Sequence, residues 1–190
     1  MSKINYAILI VSVFTSLFLF SSFQTKNPNT IYQFKMKNID GKEISLSDFK
    51  GKVVVIVNVA SECGYTPQYA RLQTFYALYK EKGVEVLGFP ANNFLGQEPG
   101  TDAEIKTFCT SKYNVTFPMF SKISVKGNDM HPLYHFLTEK NLNGVMDAEV
   151  KWNFNKFIIN KKGEVVTHLL SKVKPDDEEF LNIINEELKK

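Results

Sequence analysis

Residues 53–59, Val-Val-Val-Ile-Val-Asn-Val, leave this chain few folds to choose from. The run is β-branched and apolar without the alternation of a half-solvated strand, so it predicts a strand covered on both faces. A second apolar run follows at residues 84–89. Between the two, Tyr69, Leu72, Phe75, Tyr76 and Tyr79 recur at helical spacing from Gln68 to Lys82, and Gly83 supplies the stop. Strand, helix and strand make a βαβ unit with a parallel pair, which places the chain in the α/β class.

The first strand ends on a cysteine. Ser61-Glu62-Cys63-Gly64-Tyr65-Thr66-Pro67 lies between strand and helix. Gly64 loosens the backbone after the thiol, and Pro67 suits a first helical turn because its missing N–H would be unpaired there anyway. The free N–H groups and the positive end of a helix favour thiolate over thiol, and the thiolate is the nucleophile. Cys63 is therefore a candidate reactive cysteine, against the plainer reading of a buried structural one. A local Cys-x-x-Cys pair would need a second cysteine three positions on, where Thr66 stands. The chemistry at Cys63 ends there or uses a distant partner.

Elsewhere the pattern extends the sheet. Residues 31–36 and 42–46 flank Asn38-Ile39-Asp40-Gly41, whose Asp-Gly step signals an N-terminal β-hairpin. Thr101-Asp102-Ala103-Glu104 is a capping box, and the helix it opens carries Ile105, Phe108 and Cys109 on one face. A short strand is expected at 119–125 and a helix from His131-Pro132 to Lys140. Strands at 152–159 and 164–170, joined across Asn160-Lys161-Lys162-Gly163, would add antiparallel members, and a helix beginning at Pro175-Asp176-Asp177 closes the chain.

At 190 residues, 44% hydrophobic and 23% charged, the chain holds one well-buried domain, expected over residues 31–190. The net charge of +3 is mild and the lysines are scattered, which argues against a nucleic-acid partner. Residues 1–24 differ: Lys3 precedes an apolar run to Phe20, followed by polar residues, the pattern of a signal peptide or of an N-terminal membrane anchor, with 25–30 as linker. The domain is thus expected to be exported, periplasmic or extracellular, or held at a membrane. An acylated N-terminal cysteine is excluded because no cysteine precedes Cys63. The two cysteines, Cys63 and Cys109, could form a structural disulfide in an oxidising compartment, or a redox-active pair. The second reading suits a domain whose apolar content needs no staple.

The loop 90–100, at the carboxyl end of the second strand, shares the sheet edge where open α/β folds bind ligands with Cys63. Gln97 is the candidate uncharged donor there, while Asn92 and Asn93 are expected to hold the loop's own backbone. Trp152, the one tryptophan, and Asn153 can both donate to a thiolate or a peroxide oxygen, though a core tryptophan is an equal reading. His131 and His135 have the spacing of a metal-binding pair, but two ligands alone hold a metal poorly, so no metal site and no cofactor are assigned.

Three blocks, residues 51–66, 88–100 and 151–157, stand in the order found in a known family: the chain resembles the glutathione peroxidases from residue 31 to 190. The resemblance implies a thioredoxin-like fold, a central mixed sheet flanked by helices with the hairpin added at the N-terminus. It implies that Cys63 is the peroxidatic cysteine and that Gln97, Trp152 and Asn153 complete an active-site tetrad. Cys109 resembles the resolving cysteine of the thioredoxin-dependent branch, which condenses with a Cys63 sulfenic acid into a disulfide that a thioredoxin-like protein reduces. The implied function is a thiol peroxidase acting on hydrogen peroxide and organic or lipid hydroperoxides. The alternatives are a redox relay that passes oxidation to a partner protein, and a glutathione-dependent peroxidase. The family's Asn-Gln-Phe-Gly is here Asn92-Asn93-Phe94-Leu95, and Arg71 is the only arginine, so a cluster for glutathione's carboxylates is absent. The short stretch 140–151 implies a monomer.

Overall fold

The computed structural model describes residues 29–190, so the expected export segment at 1–24 and most of the linker lie outside the described residues. Among the described residues no helix is long and apolar enough to cross a membrane.

The apolar run forms β3, Val53–Val59, with every residue buried. Two further strands precede it: β1, Lys35–Lys37, and β2, Glu43–Ser45, pair antiparallel as the expected hairpin, Gly41 taking φ 79° at its tip. The hairpin is shorter than its apolar pattern because Ile31–Gln33 and Leu46–Phe49 wind into 3-10 turns. From β3 the chain runs through α1, Gln68–Tyr79, to β4, Val84–Pro90, which pairs parallel with β3 along its whole length. The last strands, β5, Lys156–Ile159, and β6, Val165–Leu169, are antiparallel, giving a four-stranded sheet in the order β4-β3-β5-β6.

Both faces of this mixed sheet are covered. Val53, Val55, Val57 and Val59 enter one core with Tyr69, Leu72 and Phe75 of α1, Ile105 and Cys109 of α2 (Asp102–Tyr113), and Phe180 and Ile184 of α5 (Glu178–Lys189). Val54 and Ile56 enter the other, with Leu133, Tyr134 and Leu137 of α3 (Pro132–Thr138) and Met36 of the hairpin. One strand thus feeds two cores, which is why its sequence does not alternate.

Three expectations are corrected. Residues 119–125 make no strand: the segment passes between β4 and the hairpin and forms a single isolated bridge to each, Met119 with Gly88 and Phe120 with Asn38, so neither pairing extends into a ladder. A Cβ on Gly88 would lie 2.5 Å from Met119 Sδ, so the close approach depends on glycine. The helix from His131 breaks at Glu139, whose extended backbone separates α3 from the single turn α4, Lys140–Asn143. The expected strand 152–159 begins only at Lys156, because Phe154 is left-handed at φ 62° and turns the chain. Asn58 secures that turn: its carbonyl accepts from the Phe154 N–H at 2.6 Å, its Oδ1 from the Asn155 N–H at 3.1 Å, and its Nδ2 donates to the Trp152 carbonyl at 3.0 Å. The polar member of the β3 run is thus what shapes the neighbouring strand end.

The capping box of α2 forms as expected, with the Glu104 carboxylate accepting from the Thr101 N–H at 2.7 Å. His131 Nδ1 accepts from the Leu133 N–H at 3.1 Å as the cap of α3, and His135 pairs with Glu139 at 2.5 Å. The two imidazoles serve separate local purposes.

Candidate active site

Cys63 follows β3 by four residues and precedes α1 by five, in a segment of consecutive tight turns. Its carbonyl accepts from the Thr66 N–H at 2.9 Å, and the bonds Gln68 to Tyr65, Tyr69 to Thr66 and Ala70 to Pro67 then lead into the helix. The Tyr65 N–H points at Cys63 Sγ at 3.4 Å. The N–H that reaches the sulfur thus comes from the turn before α1, while the first N–H groups of the helix itself bond to the carbonyls of that turn. Thr66, where a shuttle would have its second cysteine, fastens the corner instead: its hydroxyl donates to the Ala60 carbonyl at 2.9 Å and accepts from the Cys63 N–H at 2.9 Å. Cys63 is buried, with 7% of its surface exposed.

The loop after β4 comes to the same edge. The Glu62 N–H donates to the Gln97 carbonyl at 3.0 Å, tying the two loops together through the backbone. Gln97 Oε1 accepts from Asn153 Nδ2 at 3.0 Å, which leaves both Gln97 Nε2 hydrogens as donors. Asn153 is fully buried, and its Oδ1 finds no partner among the protein groups. Its neighbour Trp152 is half-buried, packs on Phe94 with ring centroids 5.6 Å apart, and lines with Tyr65 and Asn155 a cleft of about 390 Å³. The structure thus brings Gln97, Asn153 and Trp152 to the carboxyl edge of β3 and β4, beside the Cys63 turn. A larger groove, about 560 Å³ between α1 and α5, is lined by none of these residues.

Asn92 and Asn93 divide the work expected of both. Asn92 Oδ1 accepts from the Glu98 N–H at 2.8 Å within the loop, whereas Asn93 bonds outward to Ser124 Oγ, the Lys126 carbonyl and the Val125 N–H. Leu95, standing where the family pattern has glycine, is held left-handed at φ 54° and is 82% exposed.

Cys109 is not part of this edge. It is 1% exposed on the inner face of α2, a free thiol like Cys63 and a member of the same apolar core. Burial pushes its pKa up to about 11; the Tyr69 hydroxyl beside it works the other way, and the nearby Glu98 charge adds to the rise. That hydroxyl meets no acceptor at ordinary hydrogen-bond geometry, so burial governs and the Cys109 thiol is stored protonated.

Several residues escaped the sequence reading. Glu98 is fully buried, accepts from Ser61 Oγ at 2.6 Å through Oε1, and leaves Oε2 unpartnered. Burial raises its pKa, against the Ser61 bond and the Lys122 charge. Ser171 donates from Oγ to the Asn153 carbonyl at 2.5 Å and accepts from Asn155 Nδ2 at 2.9 Å. Its only sequence signal was a position just beyond a strand. Lys156, inside β5, is also fully buried.

Known proteins resemble this chain in sequence and in fold. The family model described as glutathione peroxidase matches residues 31–138. A glutathione peroxidase of Lactococcus lactis is 45% identical over 159 residues, covering 84% of this chain and 97% of its own. The hydroperoxy fatty acid reductase gpx1 of Synechocystis is 48% identical over 156 residues, 78% of this chain and 91% of its own. A glutathione peroxidase-like peroxiredoxin gpx1 of Schizosaccharomyces pombe is 46% identical over 146 residues, 76% of this chain and 91% of its own. Among solved structures, Trgpx in its apo form superposes with a TM-score of 0.67 at 37% identity, over 85% of this chain and 96% of that one. A thioredoxin-family thiol:disulfide interchange protein from Chlorobium tepidum reaches 0.60 at 18% identity, over 82% and 92%, which marks the fold as thioredoxin-like.

Proposed function

This chain belongs to the glutathione peroxidase family, and from that premise we propose that it is a thiol peroxidase in which Cys63 reduces hydroperoxides and Cys109 resolves the oxidised product. The observation that carries the reading is the convergence at one sheet edge: the Cys63 sulfur under the Tyr65 N–H at 3.4 Å, and the Gln97–Asn153 pair bonded at 3.0 Å next to Trp152. The Cys63 thiolate attacks the terminal peroxide oxygen; the O–O bond breaks, an S–O bond forms, and the departing alkoxide or hydroxide takes a proton to leave as alcohol or water. Uncharged N–H donors from Gln97, Trp152 and Asn153 suit this step because they stabilise the sulfur anion and the developing oxyanion without surrendering a proton.

Cys63 is then a sulfenic acid. The Cys109 thiol, giving up its proton, attacks that sulfur and displaces hydroxide, so a disulfide forms and one water leaves. A dithiol protein of the thioredoxin type returns both sulfurs to thiols. Two relatives carry names consistent with these halves, a hydroperoxy fatty acid reductase and a peroxiredoxin. Against glutathione as reductant stands Arg71, the one arginine, which is paired with Asp176 in the α1–α5 groove.

The test is peroxide consumption by the full chain with thioredoxin and its reductase, or with glutathione, in wild type and Cys109→Ser. Turnover with thioredoxin that drops at least about a hundredfold in Cys109→Ser, with one equivalent of peroxide still oxidising Cys63, supports the reading. Unimpaired turnover of Cys109→Ser with glutathione overturns it. Export through residues 1–24 and a monomeric state belong to the same reading, and are checked by the mature N-terminus and by sedimentation.

A further inference from the structure

A lysine with no exposed surface is an expensive thing to place in a β-sheet, since the ammonium loses its hydration unless every donor is used. Lys156 uses all three. Its Nζ donates to Gln68 Oε1 at 2.7 Å, to the Phe154 carbonyl at 2.8 Å and to the Val173 carbonyl at 2.7 Å. Burial pulls its pKa down to about 7, the Asp177 charge pulls it back up, and the three oxygens favour the charged form.

Those acceptors belong to three separate pieces of the active-site edge. Gln68 is the first residue of α1, directly after the Cys63 turn, and its Nε2 donates onward to the Ser171 carbonyl at 2.6 Å. Phe154 is the left-handed residue that ends the Trp152–Asn153 segment; a bulky residue at φ 62° is strained and persists only where its surroundings hold it. Val173 follows Ser171, whose Oγ donates to the Asn153 carbonyl at 2.5 Å. An apolar residue of the same volume at position 156 would satisfy packing but would release all three carbonyls at once.

We propose that Lys156 is a positioning residue for the peroxidase reaction, its buried ammonium locking the Phe154 turn, the start of α1 and the Ser171–Val173 segment together so that the Asn153 amide is held on Gln97. This rests on the proposed function for its kinetic consequence, while the geometric half stands on the hydrogen bonds alone.

The experiment uses the full chain as wild type, Lys156→Met, Asn153→Ala and the double variant. Two quantities are read: the side-chain amide resonances of Asn153, identified by their loss in Asn153→Ala, and the second-order rate of Cys63 oxidation by hydrogen peroxide in a single turnover. Expected in Lys156→Met are displaced or broadened Asn153 amide resonances and oxidation slowed about 10–100-fold, while alkylation of Cys63 by iodoacetamide changes less than about threefold. The double variant is expected to be no slower than Asn153→Ala, because a residue that acts through another adds nothing once that other is gone. Unchanged amide resonances in a folded Lys156→Met protein, or losses that multiply in the double variant, overturn the proposal. If Asn153→Ala oxidises at the wild-type rate while Lys156→Met still displaces the amide, the assignment of Asn153 to the chemistry fails and the positioning stands. Should Lys156→Met not fold, Gln68→Met, which removes one of the three acceptors, is read by the same two criteria.

Discussion

His168 shows how a single side chain couples stability to pH at this site. It stacks on Phe157 at 4.6 Å and, because Asn155 Nδ2 is already spent on Trp152 and Ser171, its Nε2–H donates to Asn155 Oδ1 at 2.8 Å. Burial, helped by the Lys151 charge, lowers its pKa to about 4. The unfolded chain takes up a proton near pH 6.5 and the native one does not, so the stabilisation is complete above pH 6.5 and is lost as pH falls towards 4. Because His168 is half-buried, solvent screening reduces the loss to about 1–2 kcal/mol. Urea midpoints between pH 7 and 4 should fall less steeply in His168→Gln than in wild type. Leu95 offers the opposite case: its left-handed backbone at φ 54° strains a leucine that packs on little, being 82% exposed. Leu95→Gly is expected to raise stability by about 0.5–1 kcal/mol, the relief of strain exceeding the extra freedom of the unfolded chain, with Cys63 oxidation unchanged. The departure from the family pattern was visible in the sequence, but the positive φ that gives it meaning was not.

Among the elements, α2 carries the heaviest conformational demand. Cys109 lies inside it at 1% exposure, and two sulfurs join only when their Cα atoms come within about 7 Å. The helix is suited to opening: Thr107 and Thr110 bond back to the Ala103 and Lys106 carbonyls, an arrangement that weakens and bends helices, and Asn114 ends it in the left-handed region at φ 50°. One equivalent of peroxide is therefore expected to reduce helical dichroism in wild type but not in Cys109→Ser, and an unchanged spectrum on disulfide formation would sink the idea. The helix and its capping box were readable from Thr101-Asp102-Ala103-Glu104, since a cap is a local interaction. The late start of β5 was not, because it answers to Asn58, far away in sequence on β3, and the break of α3 at Glu139 was not, because the Asp147 carboxylate that takes the Lys140 N–H at 2.8 Å carries no recognised cap pattern.

For the whole molecule, the sheet with a core on each face means that no residue of β3 is peripheral. Val55 and Ile56 point to opposite cores and both have no exposed surface. Ile56→Ala is expected to cost about 2–5 kcal/mol and Val55→Ala somewhat less, each measured by urea unfolding; a near-neutral result at either would mean that its core is not tightly packed. The βαβ unit, the hairpin, the two-faced strand and the placing of Cys63 and Gln97 at one sheet edge follow from the sequence, because periodicity, turn residues and helix stops act over short distances. Tertiary structure alone decided the rest. It bonded Gln97 to Asn153, buried Glu98 against Ser61, and set Lys156 among three oxygens from α1, the Phe154 turn and Val173. Those contacts join residues 37 to 88 positions apart in several cases. No local pattern encodes such a meeting, since a buried polar group finds its partner only when the folded chain has excluded the water that would otherwise have served.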